Sequence, residues 1–354
     1  KRVIAAVEEV VSNPAYQEYV LAELPEVGRH VQGPAGVFYG YDFHLTNEGP
    51  VLIEINTNAA GALLNAIFLQ TLQSHLPGGE SLQKPRDLSK AYVDMFLDEW
   101  SLANREQPLK SLAIVDETPT EQFMYSEFLA FQRLLGDHGL QAHVVADTDL
   151  TSGGDGLYFK GERLDLIYNR LTDFYLRAPK LLALRTAYLQ NQVVLTPMPR
   201  AHGLYAQKSN FCVLSHDSLL RDFGVSQEAR QLLQQHIPNT ELVPLPLGDK
   251  YWESRRQWFF KPVHGYGSKA TYRGEKLTKR VWQQILLDRY VAQKLVPPSE
   301  HELEVDGQRI RLKFDLRCFV YRGEIQLVCG RLYHGQFTNF RTPFGGFAPV
   351  LGSE

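Results

Sequence analysis

The chain has 354 residues, of which 44% are hydrophobic and 22% are charged, and its formal net charge is -3. This length and composition suit two or three packed units around real hydrophobic cores. Because acidic and basic residues are interspersed, nothing in the sequence points to a nucleic-acid or anionic-membrane partner. Local basic positions must therefore be interpreted as sites.

Cysteine usage and hydropathy indicate the compartment. Cys212, Cys318 and Cys329 show no metal-type spacing, and such sparse usage fits a reducing compartment better than a disulfide framework. The most apolar stretch, residues 59–69, is interrupted by Asn65 and is too short to span a bilayer. We therefore expect a cytoplasmic protein with neither a membrane segment nor a signal peptide.

The N-terminal part is predicted to be helical and then to form a hairpin. Valine and isoleucine recur at helical spacing over residues 3–21, with Pro14 breaking or restarting the pattern. Residues 37–45 and 51–55 have strand character on either side of the turn-forming residues 46–49. The pattern predicts one or two helices followed by a β-hairpin.

The middle of the chain alternates strands with helices. Helical patterns cover residues 62–76, 88–102 and 121–135, and strands are expected at 111–115, 141–145, 164–168 and 193–195. This alternation predicts a parallel α/β sheet of roughly a hundred residues. From about residue 201 the apolar runs favour mostly antiparallel strands between helices.

The predicted hairpin separates an oxygen-bearing face from an apolar face. Period-two geometry places Leu52, Glu54 and Asn56 on one face and Val51, Ile53 and Ile55 on the other. With a turn centred on Glu48, Asp42 lies directly across from Glu54, with Cβ atoms about 5 Å apart. Two carboxylates that close repel each other unless one is protonated or a cation lies between them.

Asp42, Glu54 and Asn56 form an all-oxygen set that suits Mg²⁺, which keeps waters and takes phosphate oxygens as its remaining ligands. The same residues could instead be solvated side chains on the wet face of an edge hairpin. Residues 58–61, which are small, permit a bound molecule to approach the backbone closely, or form a plain loop. The residues alone leave these alternatives open.

Residues 258–271 combine an apolar strand, a lysine and a glycine-rich turn. Lys261 offers a point charge for phosphate oxygens, while Gly265, Gly267 and Ser268 let backbone N–H groups curl over them. This combination predicts a phosphate cradle. It is not the Walker sequence, and an ordinary hairpin turn is the alternative.

Later segments carry further candidate groups. The run from Gln293 to Val296 leads into two prolines and either presents backbone groups to an adenine edge or links two subdomains. Arg170 and Asp173 either recognise an acceptor or form a buried ion pair. Strand alternation and the following turn supply a charged face with further polar groups: Lys313, Asp315, Arg317, Arg331 and Asn339.

Together these pieces resemble the ATP-grasp superfamily of carboxylate–amine ligases, and in particular its glutathione synthetase branch. Phe260-Lys-Pro with residues 265–268 resembles the family's phosphate-covering strand and loop, and Lys208 resembles the earlier lysine that also reaches ATP phosphates. The resemblance implies an adenine hinge made of Gln293, Lys294, Leu295 and Val296. Glu300, seven residues past Gln293, resembles the acid that holds the ribose.

The order of the motifs departs from the usual family order. In those proteins an Asp strand and a Glu-x-Asn block close the chain and supply the Mg²⁺ ligands, whereas here Asp42, Glu54 and Asn56 come first. The resemblance therefore implies a circularly permuted chain, and the hairpin sequence is similar to glutathionylspermidine synthase. Two residues also differ: Gln293 stands where many relatives have Glu, and Gly40 stands where D-alanine ligases have Arg.

The resemblance implies an α/β (α+β) ATP-grasp fold with a parallel pre-ATP-grasp domain. Residues 1–75 would be the permuted C-terminal part of the core with its Mg²⁺-binding hairpin, and residues 76–110 a helical connection. Residues 111–200 would be the pre-ATP-grasp α/β domain. Residues 201–354 would form the nucleotide-binding and substrate subdomains.

The implied activity is the ATP- and Mg²⁺-dependent joining of a carboxylate to an amine through an acyl phosphate, releasing ADP and phosphate. Lys208 and Lys261 would neutralise the phosphates, and Arg317 and Arg331 would stabilise the oxyanion. Residues predicted to bind substrate are Asn58, Arg170, Asp315, Arg317 and Asn339. The alternatives are a kinase on the same scaffold and a non-catalytic nucleotide-binding module. The sequence leaves open the identity of the small-molecule or peptide substrates and whether the chain forms a homodimer.

Overall fold

The computed structural model of the protein describes residues 1–75, 87–243, 248–265, 270–305, 307–335, 338 and 342–350. Gly267, Ser268 and Asn339 lie outside the described residues, so the roles predicted for them stay predictions. None of the helices in the described part combines the length and apolar character that crossing a bilayer requires.

The described helices and strands follow one another in a mixed order. The α-helices are α1 (Arg2–Ser12), α2 (Pro14–Leu21), α3 (Glu26–Arg29), α4 (Ala62–His75), α5 (Leu88–Leu102), α6 (Tyr125–Asp137), α7 (Leu182–Leu189), α8 (Pro199–Ala201), α9 (Asn210–Leu214), α10 (Asp217–Asp222), α11 (Gln227–His236), α12 (Gly248–Glu253) and α13 (Lys279–Leu287). The strands are β1 (Tyr39–Thr46), β2 (Gly49–Asn56), β3 (Ser111–Asp116), β4 (Gln141–Ala146), β5 (Thr151–Ser152), β6 (Leu157–Phe159), β7 (Glu162–Leu164), β8 (Leu166–Asn169), β9 (Val194–Thr196), β10 (Thr240–Leu242), β11 (Trp258–Pro262), β12 (Tyr272–Arg273), β13 (Tyr290–Lys294), β14 (Ser299–Val305), β15 (Gln308–Tyr321), β16 (Glu324–Tyr333) and β17 (Gly346–Pro349).

The two N-terminal helices are separated by a cap rather than a simple kink. The Asn13 side chain accepts hydrogen bonds from the N–H groups of Ala15 and Tyr16, and Pro14 occupies the first turn of α2. Proline is tolerated there because its missing N–H would be unpaired anyway. The predicted restart of the helix at Pro14 is confirmed.

The predicted parallel sheet is present, with strand order β4-β3-β8-β9 and every pairing parallel. All six residues of β3 are buried, which is typical of a parallel strand covered on both faces. The helix predicted over residues 121–135 begins later, at Tyr125, because residues 119–121 form a 3₁₀ turn.

A second sheet, of order β10-β13-β11-β12, is antiparallel throughout. It has its own hydrophobic core, built largely from aromatic side chains of the strands and of α12 and α13, including Tyr251, Trp258, Phe260 and Trp282. The prediction of antiparallel strands in the C-terminal half is confirmed.

The third major sheet combines the two ends of the chain. Its order is β17-β16-β15-β1-β2, and β14 pairs with the first half of β15. The N-terminal hairpin therefore lies beside strands encoded more than 250 residues later, with Asp42 of β1 across from Arg317 of β15. Strand β1 is paired on both sides, so Asp42 is fully buried.

The hairpin pairs Asp42 with Glu54, as the sequence predicts, but by a different route. The turn lies between Thr46 and Gly49, so a regular ladder would place Ile53 opposite Asp42. A β-bulge at Ile53 shifts the register by one residue and restores the pairing with Glu54.

The bulge also changes which residues face the core. Leu52 and Ile55 both belong to the hydrophobic core, whereas Ile53 and Glu54 both line a cavity. The predicted faces are therefore wrong for Leu52 and Ile53, because a bulge interrupts the period of two.

Candidate active site

A cavity lies between the β17-β16-β15-β1-β2 sheet and the antiparallel β10-β13-β11-β12 sheet. Its walls include Glu54 from β2, Lys261 from β11, Gln293 from β13 and Arg331 from β16, together with Lys208. The acidic hairpin and the two lysines therefore meet in space, although about 150 to 210 positions separate them in the sequence. A nucleotide site that combines the acidic hairpin with the two lysines requires this proximity.

Lys261 is held at the floor of this cavity. Its Nζ donates to the backbone carbonyl of Ile53 at 3.0 Å and to Gln293 Oε1 at 2.8 Å. Its pKa is lowered to about 8, mainly by burial and to a smaller extent by the charge of Lys208, against the opposing effects of Glu54 and Asp42. Two neutral acceptors use two of the three N–H donors of the Lys261 ammonium group. The group can therefore still donate to a phosphate oxygen.

Lys208 also lines the cavity. It follows a single turn of π-helix at residues 202–206, and its Nζ donates to the carbonyl of Gly265 at 2.6 Å. The same Nζ lies 4.0 Å from Glu54 Oε1. Two lysines and one carboxylate thus converge on one space, and Gly265 lies at the start of the predicted phosphate-covering loop.

The predicted adenine hinge also borders the cavity, since Gln293, Lys294, Leu295 and Val296 all line it. The Leu295 N–H donates to the carbonyl of Gln257, and the Val296 carbonyl is bonded to His44 Nδ1 at 2.8 Å. These bonds fix the course of the segment. The Leu295 N–H is thereby used, whereas the Val296 carbonyl keeps a second lone pair that can accept a hydrogen bond.

A buried cluster of four charged side chains lies beside the cavity. Arg317 binds Asp42 through Nε and Nη2, at 2.7 Å each, and Arg331 Nη2 lies 2.9 Å from Asp42. Arg331 also donates through Nε to Asp315, which accepts a further bond from Thr338. The cluster joins two carboxylates to two guanidinium groups, so its formal charges balance within a buried region.

The pKa shifts follow this arrangement. Burial by itself would raise the pKa of Asp42, but Arg317 and Arg331 hold it below its ordinary value. Burial would lower the pKa of Arg331, but Asp42 and Asp315 raise it. Asp42 and Arg331 therefore carry their charges at neutral pH.

The oxygen atoms that are available to bind a metal ion differ from the predicted set. Asn56 Nδ2 donates to Asp42 Oδ2, so both Asp42 oxygens already have N–H partners. Glu54 keeps about a third of its side chain exposed, and the amide geometry leaves Asn56 Oδ1 as an acceptor. One carboxylate and one amide oxygen, completed by phosphate oxygens and waters, fit Mg²⁺. Asp42, held between two guanidinium groups, does not fit as a third ligand in this arrangement.

Several predicted site residues lie away from the cavity. Glu300 forms an ion pair with Arg311 at 2.7 Å and is not among the lining residues. Arg170 is buried and donates to the backbone carbonyl of Asn58 at 2.8 Å, while Asn58 Nδ2 donates to the carbonyl of Leu171. Arg170 thus connects the segment after β2 to the parallel sheet. It binds a backbone carbonyl instead of forming the suggested ion pair with Asp173.

The arginines also differ in their position. Arg331 lines the cavity and has donors beyond the two used in the cluster, whereas Arg317 is not among the lining residues. Asp315 is fully buried beneath Arg331. Of the two predicted oxyanion-stabilising residues, the structure brings Arg331 to the cavity and places Arg317 behind it.

The lining residues that sequence reasoning missed include His44, Arg273, Tyr333 and Thr338. His44 follows Asp42 at a strand spacing of two, which was a usable signal. Burial lowers its pKa, and its neutral Nδ1–H must be the donor because the Val296 carbonyl can only accept. Tyr333 is the cross-strand partner of Lys313, a relationship that only the pairing of β15 with β16 reveals.

Comparison with known proteins gives structural neighbours only. Neither a protein-family model nor a curated protein sequence matches the chain. A glutathione synthetase-like effector from Globodera pallida, solved without ligand, covers 93% of this chain and 82% of its own, with 10% identity and a TM-score of 0.57. A candidate gamma-glutamylcysteine synthetase from Methylobacillus flagellatus KT covers 99% of this chain and 87% of its own, with 11% identity and a TM-score of 0.53. The sheets described above and these two neighbours show that the chain has the ATP-grasp fold.

Proposed function

We propose that the protein is an ATP-dependent ligase that joins a carboxylate to an amine through an acyl phosphate. The observation that carries this proposal is the convergence of Lys208, Lys261 and Glu54 in one cavity between two sheets. Two cations opposite one exposed carboxylate form a site for a polyphosphate with a divalent metal ion. The fold of the two structural neighbours supports the same class of chemistry.

The residues of this chain would act mainly by positioning and by charge. Lys208 and Lys261 would bind phosphate oxygens, and residues 293–296 would border the adenine. Glu54 and Asn56 would hold Mg²⁺, which neutralises phosphate oxygens when it is bound. Phosphoryl transfer of this kind needs little covalent chemistry from the protein.

The proposed reaction has two steps. A carboxylate oxygen of the substrate attacks the γ phosphorus, and the bond from that phosphorus to the bridging oxygen breaks, so that ADP leaves. The amine nitrogen then attacks the acyl carbon, the carbon–oxygen bond to phosphate breaks, and the nitrogen gives up a proton to solvent. Arg331, which faces the cavity, would stabilise the tetrahedral oxyanion. Arg317 would act by holding Asp42 and, through it, Arg331.

A substrate-dependent assay of ADP release tests this proposal. Glu54→Gln removes the metal-binding charge at a partly exposed position, so ADP release should be lost while the far-UV circular dichroism spectrum is unchanged. Glu48→Gln, an exposed residue in the turn of the same hairpin, is the matched control and should retain activity. Unchanged turnover in Glu54→Gln would reject the assigned role.

The substrate requirement distinguishes the ligase from its alternatives. A ligase releases phosphate only when both a carboxylate and an amine are present, whereas a kinase needs a single acceptor and releases none. Tight ATP binding with no hydrolysis under any substrate mixture would favour a non-catalytic module. A screen of amino acids, small peptides and polyamines in pairs covers these outcomes.

Two further features belong to the proposal. The pairing of the N-terminal hairpin with β15 supports a circularly permuted core. In the usual family order the corresponding strands close the chain, whereas here strands from the start of the chain pair with β15. The three cysteines are unpaired, which supports a reducing, cytoplasmic location.

A further inference from the structure

Glu8 of α1 joins the acidic hairpin to the chain segment that carries Lys208. Its Oε1 accepts a hydrogen bond from the Tyr41 hydroxyl at 2.7 Å, and its Oε2 accepts one from the Tyr205 hydroxyl, also at 2.7 Å. Tyr41 precedes Asp42 in β1, and Tyr205 lies three residues before Lys208. One carboxylate therefore connects two segments that each carry charged residues of the proposed site.

Both tyrosines act as hydrogen-bond donors to Glu8. Burial, and to a smaller extent the charge of Glu8, raises the pKa of the Tyr41 and Tyr205 hydroxyls above the ordinary value of 10.0. The two phenols therefore keep their protons at neutral pH. Hydrogen bonds of this length from a hydroxyl to a carboxylate are stronger than those between neutral groups, so the connection through Glu8 is firm.

The single turn of π-helix before Lys208, here called the π-turn (His202–Ala206), is fixed by side chains from other helices. The Tyr16 hydroxyl of α2 donates to the Leu204 carbonyl at 2.8 Å. Asn210 Nδ2 of α9 donates to the Gly203 carbonyl, also at 2.8 Å. Single π-turns are rare and occur frequently at functional sites. The lysine that follows thus extends from a backbone whose course is fixed.

The bond through Glu8 fixes the π-turn to the hairpin itself. The bonds from α2 and α9 hold the π-turn against helices, whereas Tyr205, through Glu8 and Tyr41, connects it to β1. On the same hairpin, Glu54 Oε1 lies 4.0 Å from Lys208 Nζ. The distance between this lysine and this carboxylate therefore depends on how the π-turn is placed against β1.

We propose that Glu8 is a positioning residue of the nucleotide site, which places the Lys208 ammonium group relative to Glu54 and so sets the affinity for a nucleoside triphosphate with its divalent cation. The inference rests on the proposed function, since it concerns the same site. Glu8 is not among the residues that line the cavity, so it acts through Lys208 and does not touch the ligand.

Removing one hydroxyl group tests this inference with little disturbance of the core. Tyr205→Phe breaks the bond to Glu8 and keeps the ring contact with Tyr39, in which the ring centroids are 4.8 Å apart. Affinity for a non-hydrolysable ATP analogue with Mg²⁺ is measured by isothermal titration calorimetry on the full chain. Tyr205→Phe and Glu8→Ala should each bind about tenfold more weakly than the wild type. Glu8→Gln should restore most of the affinity, because its amide can accept from one tyrosine and donate to the other.

Glu9, the neighbouring acid of α1, provides the matched control. It accepts hydrogen bonds from the N–H and the hydroxyl of Ser226 at 2.7 and 3.0 Å, at the start of α11. Glu9→Ala therefore removes two hydrogen bonds from the same helix without changing the π-turn. We expect it to lower the free energy of unfolding but to leave nucleotide affinity unchanged, which separates positioning from a general loss of stability.

A double-mutant cycle shows whether Glu8 acts through Lys208. In the Lys208→Met background, Tyr205→Phe should cause no further loss of nucleotide affinity, because no ammonium group is left to position. The inference is overturned if Tyr205→Phe binds like the wild type, if Glu9→Ala loses as much affinity, or if the two losses add in the double variant. Absence of nucleotide binding in the wild type would overturn the proposed function and, with it, this inference.

Discussion

Arg317 and Asp42 face each other across β15 and β1, and both oxygens of the carboxylate lie 2.7 Å from a guanidinium nitrogen. The two residues are 275 positions apart in the chain. A bidentate pair of this kind fixes the orientation of both planar groups. It joins the N-terminal hairpin to the strand that also carries Asp315, so the geometry of the site depends on it.

Replacing Asp42 with Asn should destabilise the protein strongly. The change removes a charge that two buried guanidinium groups share, and breaking a buried pair in this way costs about 3–5 kcal/mol. Urea unfolding measures the loss, with Glu48→Gln as an exposed control expected to change stability by less than about 0.5 kcal/mol. A similar small change in both variants would contradict the importance of the cluster.

The same variant should alter the acid sensitivity of the protein. The folded pKa of Asp42 lies below its ordinary value of 3.8, so its contribution to stability is present above that pH and is lost as the pH falls through the folded pKa. The difference in unfolding free energy between the wild type and Asp42→Asn should therefore narrow in acid. A difference that stays constant down to about pH 2 would argue against this linkage.

ATP binding should weaken as the pH rises above 8. Burial lowers the pKa of Lys261 to about 8, so the free protein loses this positive charge there, whereas bound phosphates would favour the charged form. Binding near pH 8 should therefore take up part of a proton. Calorimetry in two buffers of different ionisation enthalpy measures this uptake.

Two lysine variants identify the source of that pH dependence. Lys261→Met should bind ATP weakly and without proton uptake near pH 8. Lys208→Met should also bind more weakly but should retain the uptake, since Lys261 is still present. Proton uptake that persists in Lys261→Met would assign the titration to another group.

The start of α4 depends on a carboxylate from another helix. Glu127 is almost fully buried and accepts hydrogen bonds from the N–H groups of Gly61 and Leu63, at 2.8 and 3.0 Å. Glu127→Ala leaves these N–H groups without partners and should cost about 2–3 kcal/mol. Urea unfolding measures this loss. Glu121 is an exposed acid just before α6, the helix that carries Glu127, so Glu121→Ala should change the free energy of unfolding very little.

Much of the fold is predictable because the apolar patterns of its elements are long and regular. Helix α5 begins and ends where its pattern does, and the continuous apolar runs of the parallel strands mark a sheet covered on both faces. The partners of individual charges are not predictable in this way. Asp42 looks like a metal ligand from its hairpin alone, and only the pairing of β1 with β15 shows that Arg317 occupies both of its oxygens.

The bulge at Ile53 is the clearest feature that the sequence pattern misses. An alternating strand and a bulged strand have the same composition, so period-two reasoning places Ile53 on the wrong face. In the structure the bulge leaves the Ile53 carbonyl to accept the hydrogen bond from Lys261 at 3.0 Å. A local irregularity of the hairpin thus positions a residue encoded 208 positions later.

Deleting Ile53 tests what the bulge contributes. The deletion gives a regular ladder that still pairs Asp42 with Glu54 and still turns Leu52 and Ile55 to the core, so the variant should fold. Lys261 loses its carbonyl partner in this variant. If that hydrogen bond contributes about 1.4 kcal/mol to nucleotide binding by positioning the ammonium group, nucleotide affinity should fall about tenfold. Ile53→Val keeps the backbone carbonyl and the bulge, so it should bind nucleotide like the wild type. Equal affinity in the deletion variant and in Ile53→Val would show that Gln293 alone is sufficient to hold Lys261.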